Sequence, residues 1–299
     1  MIVVSNIHIP ALDTLKPRDK KEQKPIAKTP VGDVAYYVTD TRGGRTTYDL
    51  DDEDDDEMMD DSFYSGSGVS SYSKPQRSFT GADWQPVFND RMTVFIAGVP
   101  GAGKSFLAKK LINLLPNNLN ILLFTALDEK DGNFDDLGKE RLFKIKMTPE
   151  VLGKINLAEI RARTQDKDHK QTILLFDDVD KIRDSKVQNA TFAIMNDALA
   201  NGRGHEKHNG DGDIHVICTS HSANDFIKTK YMFENSNYVA LFPGVTPAMQ
   251  LKRMFDKLGL DPILCQKMMK LGRRHPHFSI LIHKTVPMYM LYGDQIMQL

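Results

Sequence analysis

Cysteine is scarce, with two residues, Cys218 and Cys265, in a chain of 299. Two cysteines cannot build a disulfide framework, and both lie in apolar runs. The expected setting is therefore a reducing intracellular compartment. Long hydrophobic runs are also missing. No stretch approaches the roughly 20 apolar residues needed to cross a bilayer, so no membrane span is expected. The opening MIVVSNIHIP lacks both a basic start and a long apolar stretch, and is not expected to act as a signal peptide. No internal repeat shows at periods of about 20–50 residues, which argues against a repeat array. Hydrophobic residues make up 40 % of the chain, slightly under the roughly 45–50 % of globular averages, which count glycine. Part of the chain is expected to stay outside any core.

Net charge is nearly absent too. Thirty-nine Lys and Arg face 40 Asp and Glu, a formal charge of −1. This neutrality hides a split. Residues 1–80 hold 10 basic and 15 acidic side chains, which leaves 29 and 25 for residues 81–299. Most of the acidity is the run DDEDDDEMMDD at 51–61, in which nine of eleven residues are carboxylates. Such a block repels itself and buries no surface, so disorder is expected. The flank at 62–78 is rich in Ser and Gly and reads as a flexible linker. The acidic block is either a solvated tail or an electrostatic mimic of nucleic acid that occupies a basic groove. Short β-like runs at Ile2–Val4 and Val34–Thr39 offer segments that could dock elsewhere. The expected organisation is a largely disordered acidic region over 1–80 and one α/β domain over 81–299.

The pattern of that domain is regular. Apolar runs at 92–98, 120–126, 171–178 and 213–220 read as buried strands, with a short additional strand at 141–147. Helical spacing is clear over 105–115, plausible over 149–163 and clear again over 185–201, where Gly202 follows as a stop. Strands alternating with helices predict a mostly parallel sheet covered on both faces.

Between the first strand and the first helix stands Gly98-Val99-Pro100-Gly101-Ala102-Gly103-Lys104-Ser105. This is the complete G-x-x-x-x-G-K-[ST] P-loop in its required context. The glycines let the backbone wrap tightly and aim its N–H groups at phosphate oxygens. The helix that follows adds the positive end of its dipole, and Phe106 lies in its first turn, beside the phosphates. Lys104 supplies a point charge for the β- and γ-phosphates, and the Ser105 hydroxyl is a candidate Mg²⁺ ligand. The expected ligands are ATP and Mg²⁺.

ILLFDDVD at 173–180 fits the partner strand, which should end in a carboxylate. Asp177 is the candidate metal ligand. Asp178, directly after it, is the candidate that orients or deprotonates an attacking water, or else a surface or helix-terminal charge. Seventy-three positions separate Lys104 from Asp177, enough for a P-loop class in which a further strand lies between the two motif strands. The strand at 213–220 is expected there. It ends in Thr219, Ser220 and His221, polar groups aimed at the γ-phosphate region. His221 is the preferred candidate, and Thr219 or Ser220 could equally be satisfied loop hydroxyls. Arg203, in NGRGHEKHNG, is a candidate arginine finger toward a neighbouring subunit, a DNA-phosphate contact or a solvated arginine. His205, His208 and His215 lack the Cys pair or tight histidine spacing of a zinc site.

Taken together, the blocks resemble the poxvirus-type DNA-packaging ATPases of large eukaryotic DNA viruses, within the FtsK/HerA superfamily of P-loop NTPases. The resemblance covers about 92–299. It rests on GVPGAGKS at 98–105, FTALDEKDGNFDDL at 124–137, ILLFDDVD at 173–180, GRGHEKHNGDGDIHVICTSH at 202–221 and HFSILIHKTVPMYMLY at 277–292. Two departures stand out. His221 occupies the sensor position where that group often has Gln, and Gly204 interrupts a Gly-Arg-His unit that an insertion-like stretch, EKHNGDG, follows. The resemblance implies an ATP-driven motor that pulls double-stranded DNA into a capsid. It also implies a homo-oligomeric ring with nucleotide between subunits, contact with capsid or portal-type proteins, and a place at the host-cell assembly site or in the virion. A ring motor needs basic loops facing its pore. Lys228 and Lys230, or Lys267, Lys270, Arg273 and Arg274, are candidates, each set against a plain solvated face. Two other readings stand beside this one. A P-loop kinase needs an Arg-rich lid, which is not evident after residue 200, and a nucleotide-gated scaffold would make the acidic segment the working part.

Overall fold

The computed structural model describes residues 2–5, 22–28, 34–39, 78–80, 85–86, 88, 91–125, 132–164, 171–203, 214–222, 229–274, 277–285, 288–292 and 295–299. Strands β1 (Ile2–Ser5), β2 (Glu22–Lys28), β3 (Val34–Thr39), β4 (Ser78–Thr80) and β5 (Gln85–Pro86) come first. The P-loop unit follows as β6 (Thr93–Ala97), α1 (Lys104–Ile112), β7 (Asn120–Thr125) and β8 (Leu142–Lys144). Next are α2 (Pro149–Leu152), α3 (Leu157–Thr164), β9 (Thr172–Asp177), α4 (Ser185–Asn201) and β10 (Ile214–Ser220). The chain closes with α5 (Lys230–Asn235), β11 (Tyr238–Leu241), α6 (Ala248–Lys257), α7 (Pro262–Arg274), β12 (Ile280–His283), β13 (Tyr289–Tyr292) and β14 (Gln295–Gln298).

Ten strands form the main sheet in the order β4-β14-β13-β12-β11-β6-β10-β9-β7-β8. The six from β11 to β8 are parallel, and the remainder are antiparallel. The fold is the α/β P-loop NTPase fold, with a mostly parallel central sheet flanked by helices. Strand β10 lies between β6 and β9, so the two motif strands are separated as their spacing predicted.

Period-2 alternation gives β6 two apolar faces. Val94 and Ile96 pack in the cluster that holds Ala108, Leu111 and Ile112 of α1. Phe95 and Ala97 belong to the opposite cluster, with Ile194, Met195 and Ala198 of α4 and Leu251, Met254 and Phe255 of α6. Burying strands on both sides leaves their carboxyl ends as the place where polar groups can gather.

The helix expected over 149–163 is two helices. Gly153 caps α2, and Asn156 Oδ1 accepts from Glu159 N at 2.8 Å, which starts α3. A side-chain cap competes with backbone continuity at this point. The region expected to be a disordered tail contributes β1, β2 and β3, which pair antiparallel, and β4, which pairs with β14. The β2–β5 pairing also crosses residue 80, and Ala27 of β2 is fully buried in the cluster of β6 and α1. The acidic run 51–61 and residues 62–77 of the expected linker lie outside the described residues.

Candidate functional site

The P-loop spans the end of β6 and the start of α1. Gly101 (φ 78°) and Gly103 (φ 103°) occupy left-handed backbone that side chains resist. Gly98 has a different reason to be glycine. A Cβ there would stand 2.8 Å from Cδ2 of the buried Phe242 ring and 3.1 Å from Ala102 Cβ. Gly98 N also donates to Ser220 O at 3.0 Å, which fastens the loop to β10.

Lys104 is 5 % exposed, and its Nζ donates to Gly98 O at 3.0 Å. Burial of an ammonium requires partners, and a second one is Asp178, whose Oδ1 lies 3.6 Å from Nζ. Asp178 follows β9 in the left-handed region (φ 48°), the one non-glycine residue there among the described residues. Asp tolerates this conformation because its short side chain bonds locally. Here the bend turns the carboxylate back toward the P-loop.

Strand β10 supplies the remaining contacts. Thr219, fully buried, donates to Asp177 Oδ1 at 2.8 Å and accepts from Asp178 N at 2.9 Å. One hydroxyl therefore orients the first carboxylate and holds the backbone of the second. His221 Nε2 lies 2.6 Å from Asp178 Oδ2. Lys104, Asp177, Asp178 and His221, all expected at the site, are thus brought into one connected group. Thr219 joins them through its buried hydroxyl. Asp177, 2 % exposed, and the Ser105 hydroxyl offer the hard oxygen donors that Mg²⁺ prefers. This donor chemistry fits a metal-bound triphosphate.

Arg203 is not part of the group. Helix α4 runs back from the Asp178 end of the sheet, and Gly202 O accepts from Ile214 N at the start of β10. Arg203 is exposed at this opposite edge, where its carbonyl accepts from Arg161 Nη2 at 2.9 Å. His205 and His208 lie outside the described residues. His215 is buried, with Nδ1 accepting from Met92 N at 2.9 Å and Nε2 3.4 Å from Gln171 Oε1. Burial, with Arg91 nearby, pushes its imidazole down to about 4. Both ring nitrogens are engaged, and among the described residues no cluster of three or more metal-ligating side chains occurs. Lys228 is outside the described residues. Lys230 is exposed and pairs with Glu234 at 3.8 Å. Lys267, Lys270 and Arg273 are exposed on α7 at three-residue spacing, and Arg274 ends the same helix.

Sequence reasoning missed Phe242 and His277. A Cβ on Gly103 would stand 3.7 Å from Phe242 Cε1 and 4.0 Å from His277 Nδ1. No phosphate-site motif marks either residue, because Phe242 follows β11 and His277 precedes β12, both distant from the loop in sequence.

A family model, ATPase family associated with various cellular activities (AAA), matches residues 94–238, from the P-loop strand to the start of β11. Those residues are similar to that family, and the chain is a P-loop ATPase. The uncharacterized protein V3 of Sputnik virophage is 27 % identical over 218 residues, covering 68 % of this chain and 76 % of that protein. Among solved structures, the genome packaging NTPase B204 from Sulfolobus turreted icosahedral virus 2, in complex with sulfate, is 12 % identical with a TM-score of 0.43. That alignment covers 69 % of this chain and 97 % of the other. The conjugation coupling protein TcpA of pCW3, in its monomer form with ATPγS, is 12 % identical over 92 % of this chain and 76 % of that one, with a TM-score of 0.38.

Proposed function

We propose that this ATPase is a motor that translocates double-stranded DNA, of the poxvirus packaging type. One observation carries the reading. Asp178 is held between Lys104 and His221, at 3.6 and 2.6 Å, with its backbone fixed by Thr219. A carboxylate so placed suits a water attacking the γ-phosphate, the step that a motor repeats. A kinase would instead need space and contacts for an acceptor at that point. The sequence blocks that resemble packaging ATPases support the choice of DNA as the track.

Mg²⁺, held by Ser105 and Asp177, would neutralise charge on the phosphates. Lys104 binds the β- and γ-oxygens, Asp178 takes or orients the proton of the attacking water, and His221 holds Asp178 in place. The exposed basic row of α7 is the proposed DNA-facing surface, since phosphate contacts dominate such affinity. Subunits act as a homo-oligomeric ring, with Arg203 serving the neighbour's nucleotide and capsid or portal proteins receiving the DNA. The acidic segment and linker within 1–80 form an appendage to the ATPase of 81–299. Buried free thiols at Cys218 and Cys265 agree with a reducing intracellular setting, the host-cell assembly site or the virion.

The test is ATP turnover with and without duplex DNA, alongside particle size in solution. Stimulation by duplex together with a particle several subunits in size is expected. A rate indifferent to DNA in the assembled particle overturns the motor reading. Lys104→Ala should abolish nucleotide binding or turnover, and unchanged hydrolysis would remove the P-loop from the reaction.

A further inference from the structure

One edge of the main sheet carries a hollow that the catalytic group does not use. Strand β8 is outermost there, and its Phe143 is 47 % exposed. Between this edge and the α2–α3 pair lies a cavity of about 410 Å³, lined by Leu122, Phe143, Ile145, Val151, Ile155 and Ile160 among others. An apolar hollow open to water at a sheet edge invites an apolar side chain. Lys154, exposed, also lines it and forms no ion pair among the described residues.

A matching projection stands elsewhere on the same chain. Ile263, in the first turn of α7, is 69 % exposed. Asp261 just before it accepts from Ile263 N at 2.8 Å, and its carboxylate too has no ion pair among the described residues. Helices α6 and α7 join β11 to β12, several strands away from β8. A projection and a hollow on separate flanks do not meet within one chain. They meet head to tail between copies, and contacts of that kind close into rings. Met249 is equally exposed, but Lys252 and Arg253 follow it, which would set like charges against Lys154.

Two further contacts tie these surfaces to the nucleotide. On α3, Arg161 follows Ile160 of the hollow, and its Nη2 donates to Arg203 O at 2.9 Å. Arg203, the residue assigned to the neighbour's nucleotide, therefore stands on the flank that carries the hollow. On α7, Gly272 packs so closely on Gly244 that a Cβ on either would overlap the other's backbone. Gly244 is two residues past Phe242, whose ring abuts Gly98 of the P-loop. One helix thus leads from the projection to the P-loop flank.

Resting on the ring reading, we propose that the hollow of one copy takes Ile263 of the next, with Lys154 facing Asp261 across the junction. The contact sets Arg203 of one copy beside the helix whose far end supports the neighbour's P-loop.

The test is sedimentation of the full chain with ATP and Mg²⁺, with ATP binding as the control for folding. Ile263→Asp and Phe143→Asp, both at exposed positions, should each bind ATP. Each should weaken self-association by about ten-fold or more, the worth of one buried aliphatic side chain. Mixing these two variants should give a one-to-one dimer, because one chain keeps the hollow and the other keeps the projection. Lys154→Glu should also weaken association. Asp261→Asn, which keeps the helix cap, should weaken the wild type yet strengthen the Lys154→Glu chain. The proposal is overturned if either apolar variant binds ATP and assembles as the wild type does, or if the mixture stays monomeric. Should an apolar variant lose ATP binding, the charge pair decides, and equal effects of Asp261→Asn in both chains overturn the contact. A wild type that stays monomeric sinks the ring reading, and the contact with it. Assembly of wild type and Ile263→Asp alike means that only this contact is wrong.

Discussion

His221 Nε2 stands 2.6 Å from Asp178 Oδ2, while Lys104 Nζ stands 3.6 Å from the other oxygen of the same carboxylate. Asp178 is thus gripped from two sides, by a P-loop residue and by a residue just past β10. Its left-handed backbone makes both contacts possible, since an ordinary helical or extended residue there would aim the side chain elsewhere.

Asp178→Asn separates shape from charge. Asn adopts the left-handed region as readily as Asp, so the backbone should be retained. Nucleotide binding should persist and turnover should fall by about 10²–10⁴-fold, the usual contribution of a positioned acid or base. Steady-state hydrolysis with a parallel ATP-binding titration checks this. Turnover near wild type would assign water activation to another residue.

Thr219 offers a sharper contrast. Thr219→Val keeps the shape but removes the hydroxyl that accepts from Asp178 N and donates to Asp177 Oδ1. A buried unmade bond costs about 1–3 kcal/mol. We expect kcat to fall about ten-fold or more, and the Mg²⁺ concentration for half-maximal turnover to rise. Thr219→Ser should recover most of both. If Ser and Val behave alike, the hydroxyl has no role in positioning.

Gly98→Ala tests close packing rather than loop flexibility. The new methyl would meet the buried Phe242 ring at 2.8 Å, and overpacking of this kind costs about 1–3 kcal/mol. A lower melting temperature and weaker ATP binding should appear together. Phe242→Leu in the same chain should relieve part of the stability loss.

Stability should fall on mild acidification because of His215. Its folded value of about 4 lies below the ordinary 6.5, so between these values the unfolded chain binds the proton and the folded chain does not. Stability is therefore full above pH 6.5 and declines as pH drops toward 4. The contribution is up to about 3 kcal/mol. Urea unfolding at several pH values would show the slope, and His215→Gln should flatten it.

Much of this was legible in the chain. The P-loop, the paired aspartates at the end of an apolar strand and the polar end of β10 are local patterns, dictated by chemistry that needs particular residues in a row. Period-2 and helical spacing placed β6, β7, β9, β10 and α4 within a residue or two. The break between α2 and α3 was less visible, because Asn156 caps through its side chain inside a stretch whose apolar spacing continues. Phe106 was assigned to the nucleotide by its position in the motif.

The candidate phosphate-site residues are thus marked by sequence alone, since each belongs to a local pattern tied together by backbone geometry. Tertiary structure decided how they meet. Asp178 reaches Lys104 and His221 because β10 is inserted between β6 and β9, and Thr219 bridges two carboxylates from that strand. Phe242 and His277 reach Gly103 from beyond β11 and before β12, over 130 residues from the loop. Such contacts follow from strand order, which is fixed by burying two apolar faces at once, and no local stretch of residues encodes it.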